Sequence, residues 1–370
     1  MAILKKIVVQ DFRNIELQEL DFSSNVNCIS GKNGEGKTNL LDAVWYLSMT
    51  KSSRGVQDRY NWRHGTHGFA MAGTYGLPDG RTTRVSVKVE GGQSVTKQIR
   101  RDDKPCERLS DHIGEFPVVM VSPGDGALVS ESADERRRFV NAVLSQMDRP
   151  YLSDVQKYNR ILDQRNAALK DYGSASEGLL DALDPMLEEY GRRIYERRLA
   201  FIKELEPRVQ EFYTRISGGR ETVSVEYRSD LSKGSLEDIL RESRDRDGVL
   251  KYTFSGIQRD DFLFGMDGYS IRKCGSQGQQ KSFLVALKFA QYEIMRQDDS
   301  ARAPILLLDD LFDKLDLDRI SNLLRMVAGN GFGQIFITDA DPGRLRRTVD
   351  SITSDRAYFE AEGGVFKTVL

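Results

Sequence analysis

Apolar and polar residues alternate over short runs through the first third of the chain. Stretches 3–9, 69–75, 84–89 and 94–101 predict strands, with turn signals such as Pro78-Asp79-Gly80 and Gly91-Gly92 between several of them. The runs 26–30 and 117–122 are more continuously apolar, as buried strands are. From about 125 to 216 the period lengthens. Segments 135–147, 151–169 and 178–216 carry apolar residues at helical spacing among dense charges. Pro150, Gly173, Pro185 and Pro207 predict that these helices are cut into short pieces, with Pro185 in a first turn or at a kink. A strand at 222–227 and a helix at 235–246 follow. The α/β character returns near 251, with a helix over 282–296 and a buried strand over 303–310.

This order predicts an α/β fold in which a head made of 1–122 and 250–370 is interrupted by a mostly helical lobe at 123–249. A length of 370 residues suits two domains, or one large body with an insertion. Nothing repeats at a fixed period.

The strand at 26–30 runs into Gly31-Lys32-Asn33-Gly34-Glu35-Gly36-Lys37-Thr38, followed by the helix-like stretch that begins Asn39-Leu40-Leu41-Asp42. A strand, a G-x-x-x-x-G-K-T loop and a helix form the context a phosphate cradle needs. The glycines let successive amides turn inward, and the helix N-terminus faces the anion with its positive dipole end. Lys37 is placed to reach β- and γ-phosphates, and the Thr38 hydroxyl to ligate Mg²⁺. The plain alternative is a glycine turn before a capped helix.

A second element stands roughly 270 residues on, a separation that a compact P-loop fold reaches only by insertion. The run Ile305-Leu306-Leu307-Leu308 ends in Asp309 and Asp310. An acid at the C-terminal end of a buried parallel strand sits beside the phosphate crevice, so Asp309 is the candidate metal partner and Asp310 the candidate water-orienting group. Helix capping is the alternative. A third element, Gly275-Ser276-Gln277-Gly278-Gln279-Gln280, opens the helix at 282–296 and offers a second anion site. Two cradles for one terminal phosphate are most economically explained if each closes on the nucleotide held by another copy of the chain; a flexible N-cap and nothing more is the alternative.

Composition narrows the partners. With 54 Lys and Arg against 56 Asp and Glu, the molecule as a whole is no basic nucleic-acid binder. DNA contact has to come from local patches such as Arg136-Arg137-Arg138 or Arg192, Arg193, Arg197 and Arg198, which read first as solvated helix faces paired with nearby acids. Cys28, Cys106 and Cys274 are too scattered for a disulfide framework or a zinc site, and His64, His67 and His112 show no metal spacing. No apolar run approaches membrane-spanning length and the N-terminus reads as a strand, so a cytoplasmic protein with no membrane partner is expected.

The glycine loop at 31–38, the Ser-Gln-Gly-Gln-Gln run at 276–280 and the run from Leu306 through Asp309, Asp310, Leu311, Phe312, Asp313, Lys314 and Leu315 to Asp316 together resemble the RecF family. These are bacterial recombination-mediator ATPases related to SMC and ABC-type heads. Asp11-Phe12-Arg13-Asn14 is similar to the family's Phe-Arg-Asn turn, and Lys51-Ser52-Ser53-Arg54 to its Ser-Phe-Arg element with Phe replaced. Glu135-Arg136-Arg137-Arg138-Phe139 resembles its Arg-Arg-Arg-Phe stretch, and Tyr158-Asn159-Arg160 the helical continuation. The family usually has Gly-Pro-His-Arg-Asp-Asp where this chain reads Gly256-Ile257-Gln258-Arg259-Asp260-Asp261. Asp310 stands where ABC ATPases carry Glu, and Thr338 where they carry a switch histidine.

The resemblance implies an ABC/SMC-type P-loop head with mixed sheets and a helical second lobe, binding ATP and Mg²⁺. Residues 31–38 with Asn39, Arg13 and Asn14 would hold the nucleotide, and Ser276, Gln277 and Gly278 would meet it from the other protomer. Asp316 would communicate across that interface, Lys37 and Asp310 would serve catalysis, and Arg136, Arg137 and Arg138 would touch DNA. It implies an ATP-dependent homodimer acting in repair, replication and the SOS response on gapped DNA and single- and double-stranded junctions. RecR and RecO are the implied partners, and recombinase loading the implied outcome. Turnover is expected to be slow and DNA-stimulated. An SMC-like clamp with negligible turnover is the alternative, although Pro and Gly interrupt any heptad pattern in the insertion. A transporter motor would carry a tighter Leu-Ser-Gly-Gly-Gln signature and need a membrane partner.

Overall fold

The alternating strands near the N-terminus pair into one antiparallel sheet. In chain order they are β1 (Ile3–Phe12) and β2 (Ile15–Asp21), then β3 (Val26–Ser30) and helix α1 (Lys37–Met49), then β4 (Gly68–Gly76), β5 (Thr82–Glu90), β6 (Thr96–Arg101), β7 (Lys104–Pro105) and β8 (Val118–Val121). The antiparallel sheet has the order β2-β1-β4-β5-β6-β7. The structure, a computed structural model, describes residues 1–171, 174–296, 303–310, 332–351 and 353–369. The described chain forms two compact units, one of residues 1–126, 212–219 and 277–370, the other of residues 127–211 and 220–276.

The second unit is mostly helical. Helix α2 (Gly126–Ser130) leads into α3 (Ala133–Met147), α4 (Arg149–Lys170) and α5 (Ser174–Ser217), whose residues from Phe212 on belong to the first unit. Pro150 opens α4 within its first turn, where its missing N–H costs nothing. Pro185 and Pro207, by contrast, lie inside an unbroken α5, against the expected division into short helices. An interior proline costs about 3 kcal/mol. Leu180, Leu183, Leu187, Ile194, Phe201, Leu205 and Val209 are all buried along α5, each contributing about 1.5–3 kcal/mol, so burial outweighs the lost bonds. Gly173 lies outside the described residues.

Strand β9 (Val223–Arg228) is followed by α6 (Leu236–Glu242), α7 (Arg244–Leu250), β10 (Asp261–Met266), β11 (Tyr269–Ser270) and α8 (Ile271–Cys274). The predicted helix at 235–246 is thus two, meeting at Ser243. β10 pairs with β9 along its whole length, which draws 250–276 into the second unit rather than the head expected from sequence. Arg165, fully buried, ties α4 to α5 and α7 through Asp184 and Asp247, each at 2.7 Å.

The first unit resumes with α9 (Gln277–Arg296), β12 (Ile305–Leu308), β13 (Ile335–Asp339), α10 (Pro342–Val349), β14 (Arg356–Glu362) and β15 (Val365–Val369). Its second sheet has the order β15-β14-β3-β13-β12-β8, parallel except for the terminal β14–β15 hairpin. Every residue of β12 is buried, as its unbroken aliphatic run requires. Helix α1 touches strands of both sheets, and Leu40, Leu41, Val44, Tyr46 and Leu47 are buried around its circumference. Tyr46, Phe12 and Phe69 meet edge to face with centroids 5.1–6.2 Å apart. The loop that precedes α1 is therefore set on a rigid base. No described helix is long and apolar enough to cross a membrane.

Candidate nucleotide site

The chain leaves β3 at Ser30 and enters α1 at Lys37, with Gly36 as N-cap at φ +106°. That left-handed value favours glycine, and a Cβ at Gly36 would lie 2.7 Å from the Asn14 amide nitrogen. Lys37 is buried, and its ammonium donates to the carbonyls of Gly31 at 2.7 Å and Lys32 at 3.1 Å. The cation is thereby anchored to the loop at residues that begin the cradle.

Across the parallel sheet, the C-terminal ends of β3, β13 and β12 lie side by side. The Thr38 hydroxyl donates to Asp309 Oδ1 at 3.0 Å, joining positions 271 residues apart. Thr338, near the end of β13, donates to the same oxygen at 2.8 Å and accepts the Asp310 amide at 2.9 Å. Burial lifts the Asp309 carboxyl above the usual carboxylate range, against the two hydroxyl bonds and Lys37. Asp310 adopts a left-handed φ of +41°. It borders a cleft of about 170 Å³ together with Asn33, Gly34, Lys37, Thr38, Asn39 and Arg54.

Asn39 donates to the Asn14 side-chain oxygen at 2.7 Å and accepts from Arg13 at 3.0 Å. The Arg13 guanidinium also lies 2.7 Å from buried Asp42 and donates to Ser52 and Asn61. Its hydrogen bonds brace α1, and the cleft is lined by Asn39 instead. Glu35 faces the β14–β15 turn, where its carbonyl accepts the Gly364 amide at 2.9 Å and its carboxylate the Gly363 amide. Sequence reasoning missed Asp42, that hairpin and the bridging role of Thr338. Thr338 was visible only as the absence of a histidine.

The two oxygen donors, a hydroxyl and a carboxylate, suit a hard cation such as Mg²⁺, which commonly takes one or two protein ligands and completes its shell with water and phosphate. Among the described residues no cluster of three or more His, Cys, Asp or Glu side chains competes as a metal site. Ser276 ends the second unit and Gln277 opens α9 of the first, and both are exposed. Gly278 lies in the first turn of α9. Asp316, with 311–331, lies outside the described residues.

In the second unit, Arg136 grips Asp261 with two bonds of 2.8 and 3.2 Å, and Arg137 donates to the Asp260 carbonyl at 2.6 Å. Arg138 is exposed and pairs with Glu135. Arg192, Arg193 and Arg197 pair with Glu188, Glu189 and Asp148, while buried Arg198 holds Asp260. The structure thus gives most of these arginines an intramolecular task. Gln258, in the family's histidine position, accepts from Tyr158 at 2.5 Å and donates to the Ser255 carbonyl at 2.7 Å. An amide has the donor and the acceptor that this bridge needs.

A P-loop between two sheets, an acid-tipped neighbouring strand and an inserted helical unit define a nucleotide-dependent ATPase head of the ABC/SMC type. An SMC head domain from Pyrococcus furiosus superposes with TM-score 0.58 at 15% identity, over 100% of this chain and 96% of that one, a likeness of fold alone. The AAA domain family matches residues 6–112. A curated relative from Phocaeicola vulgatus, the DNA replication and repair protein RecF, is 42% identical over 98% of this chain and 97% of its own. The Porphyromonas gingivalis relative of the same name is 42% identical over 98% and 99%. A solved structure of the recombination mediator protein RecF with ATP in the RecFOR pathway superposes with TM-score 0.89 at 29% identity, covering 100% of this chain and 98% of that one. The chain belongs to the RecF family.

Proposed function

We propose that the protein is an ATP-gated, DNA-binding recombination mediator that acts in the cytoplasm, in repair and replication at gapped DNA. The carrying observation is the Thr38–Asp309 contact, which brings two distant phosphate-site motifs to one point. In this reading the loop amides and Lys37 hold the β- and γ-phosphates of ATP, and Asn39 and Asn14 support the cradle. Thr38 and Asp309 hold Mg²⁺, which when bound neutralises phosphate charge. Asp310 orients the attacking water.

Ser276, Gln277 and Gly278 of a second copy close on the γ-phosphate, with Asp316 near the same interface. ATP then favours the dimer, and nucleotide and DNA affinities become linked. The solved relative's description as a recombination mediator in the RecFOR pathway supports a place beside RecR and RecO, and recombinase loading is the outcome proposed for it. The shorter carboxylate of Asp310 and the hydroxyl of Thr338 support slow hydrolysis. Phosphate release measured with and without gapped DNA tests this: a slow basal rate that rises with DNA is expected, and a fast rate indifferent to DNA contradicts it.

A further inference from the structure

With the predicted arginine patches largely engaged by acids, the outer face of the antiparallel sheet stands out. Along β4 the inward side chains are Phe69, Met71 and Tyr75, all buried, whereas the outward positions are Ala70, Ala72 and Thr74. Small side chains in a row leave a trough in a sheet surface, because each outward residue covers only its own stretch of strand. Its volume is about 450 Å³, and it opens to solvent.

One wall is basic. Across the ladder Thr74 faces Arg84, Ala72 faces Ser86 and Ala70 faces Lys88, and one strand further Ser86 faces Arg100. Arg84, Lys88 and Arg100 are exposed and border the trough; Asp103 is the carboxylate that borders it, and Lys88 pairs with Glu90 beside it at 2.8 Å, which leaves Arg84 and Arg100 as its main cations. Outward residues repeat about every 6.8 Å along a strand. Arg100 therefore falls between Arg84 and Lys88 in a staggered row, a spacing comparable with that of successive phosphates on one nucleic-acid strand. Gln10 and Gln98 add amide donors at the same level.

We infer that this trough is a docking surface for the phosphodiester backbone of DNA, with Arg84, Lys88 and Arg100 as phosphate contacts. The naming of DNA rests on the function proposed above; the basic trough does not. The surface carries no base-reading pattern, so it reads charge and backbone spacing rather than sequence.

The test uses the full-length chain with ATP, and both duplex and single-stranded oligonucleotides across a salt series. Each phosphate contact contributes about 0.9 to the slope of log K against log salt on duplex and about 0.7 on single strands. The double variant R84A/R100A is expected to flatten the slope by about 1.8 on the duplex or about 1.4 on the single strand, and the larger effect names the preferred form. Nucleotide affinity should be unchanged, which also reports an intact fold. Arg138→Ala is expected to leave the slope as in the wild type. A wild-type slope in R84A/R100A overturns the trough assignment alone. A wild-type protein that binds neither oligonucleotide at low salt with ATP overturns the DNA-binding function itself.

Discussion

Thr338 donates its hydroxyl proton to Asp309 Oδ1 at 2.8 Å and accepts the backbone amide of Asp310 on the same oxygen. One side chain thus fixes both acids at the tip of β12. Thr338→Val keeps the shape and removes both bonds. Bonds to charged groups are worth about 1.5–3 kcal/mol, so a fall in thermal stability of that order is expected. Phosphate release should drop more than ATP affinity, because Asp310 loses its anchor. Thr338→Ser should restore both, and a valine variant with unchanged turnover would show that the bridge is idle.

Lys37 is the charge at the base of the glycine loop. Lys37→Ala should abolish nucleotide binding in equilibrium titration. Unaltered affinity would remove the phosphate-site assignment.

Gly364 supports the loop from outside. It sits at φ +86°, and a Cβ there would lie 2.1 Å from the Asn14 carbonyl oxygen. Gly364→Ala should cost about 1–3 kcal/mol through backbone strain, and more if Asn14 moves. Because Asn14 packs on Gly36, nucleotide affinity should fall with stability. A neutral melt and normal affinity would contradict the buttress.

His112 gives a pH dependence with a definite sign. Burial holds its pKa below the ordinary 6.5, with Nε2 2.6 Å from the Leu47 carbonyl oxygen and Nδ1 without a hydrogen-bond partner. A base whose folded pKa is depressed contributes stability that is complete above the unfolded value and is lost as pH falls from there toward the folded one. Thermal midpoints should therefore decline below about pH 6.5, and His112→Gln should decline less steeply over the same range. Parallel curves for the two proteins would exclude His112 as the source.

Much of the head could be read from sequence because its signals are local. The glycine loop needs only its neighbours, and Ile305-Leu306-Leu307-Leu308 can be satisfied only by a strand covered on both faces. What escaped depends on partners far along the chain. Pro185 and Pro207 punctuate the sequence, yet burial along α5 overrides them. Thr338 gains its task only when β13 lies beside β12, and Asp42 only when Arg13 and Ser52 reach it. Ala70 and Ala72 look unremarkable until their outward positions line up beside Arg84 and Lys88. The limits of the helical unit were misplaced for the same reason, since the pairing of β9 with β10 spans a long connection.

In the function proposed above, two copies complete one another's pocket around ATP. Sedimentation of the wild type and of Ser276→Arg, with Mg·ATP and with and without gapped DNA, tests it most directly. A wild-type dimer is expected only with ATP, and the Ser276→Arg protein should bind nucleotide yet stay monomeric. A wild type that remains monomeric at saturating Mg·ATP with DNA present, or a Ser276→Arg variant that dimerises normally, would contradict it.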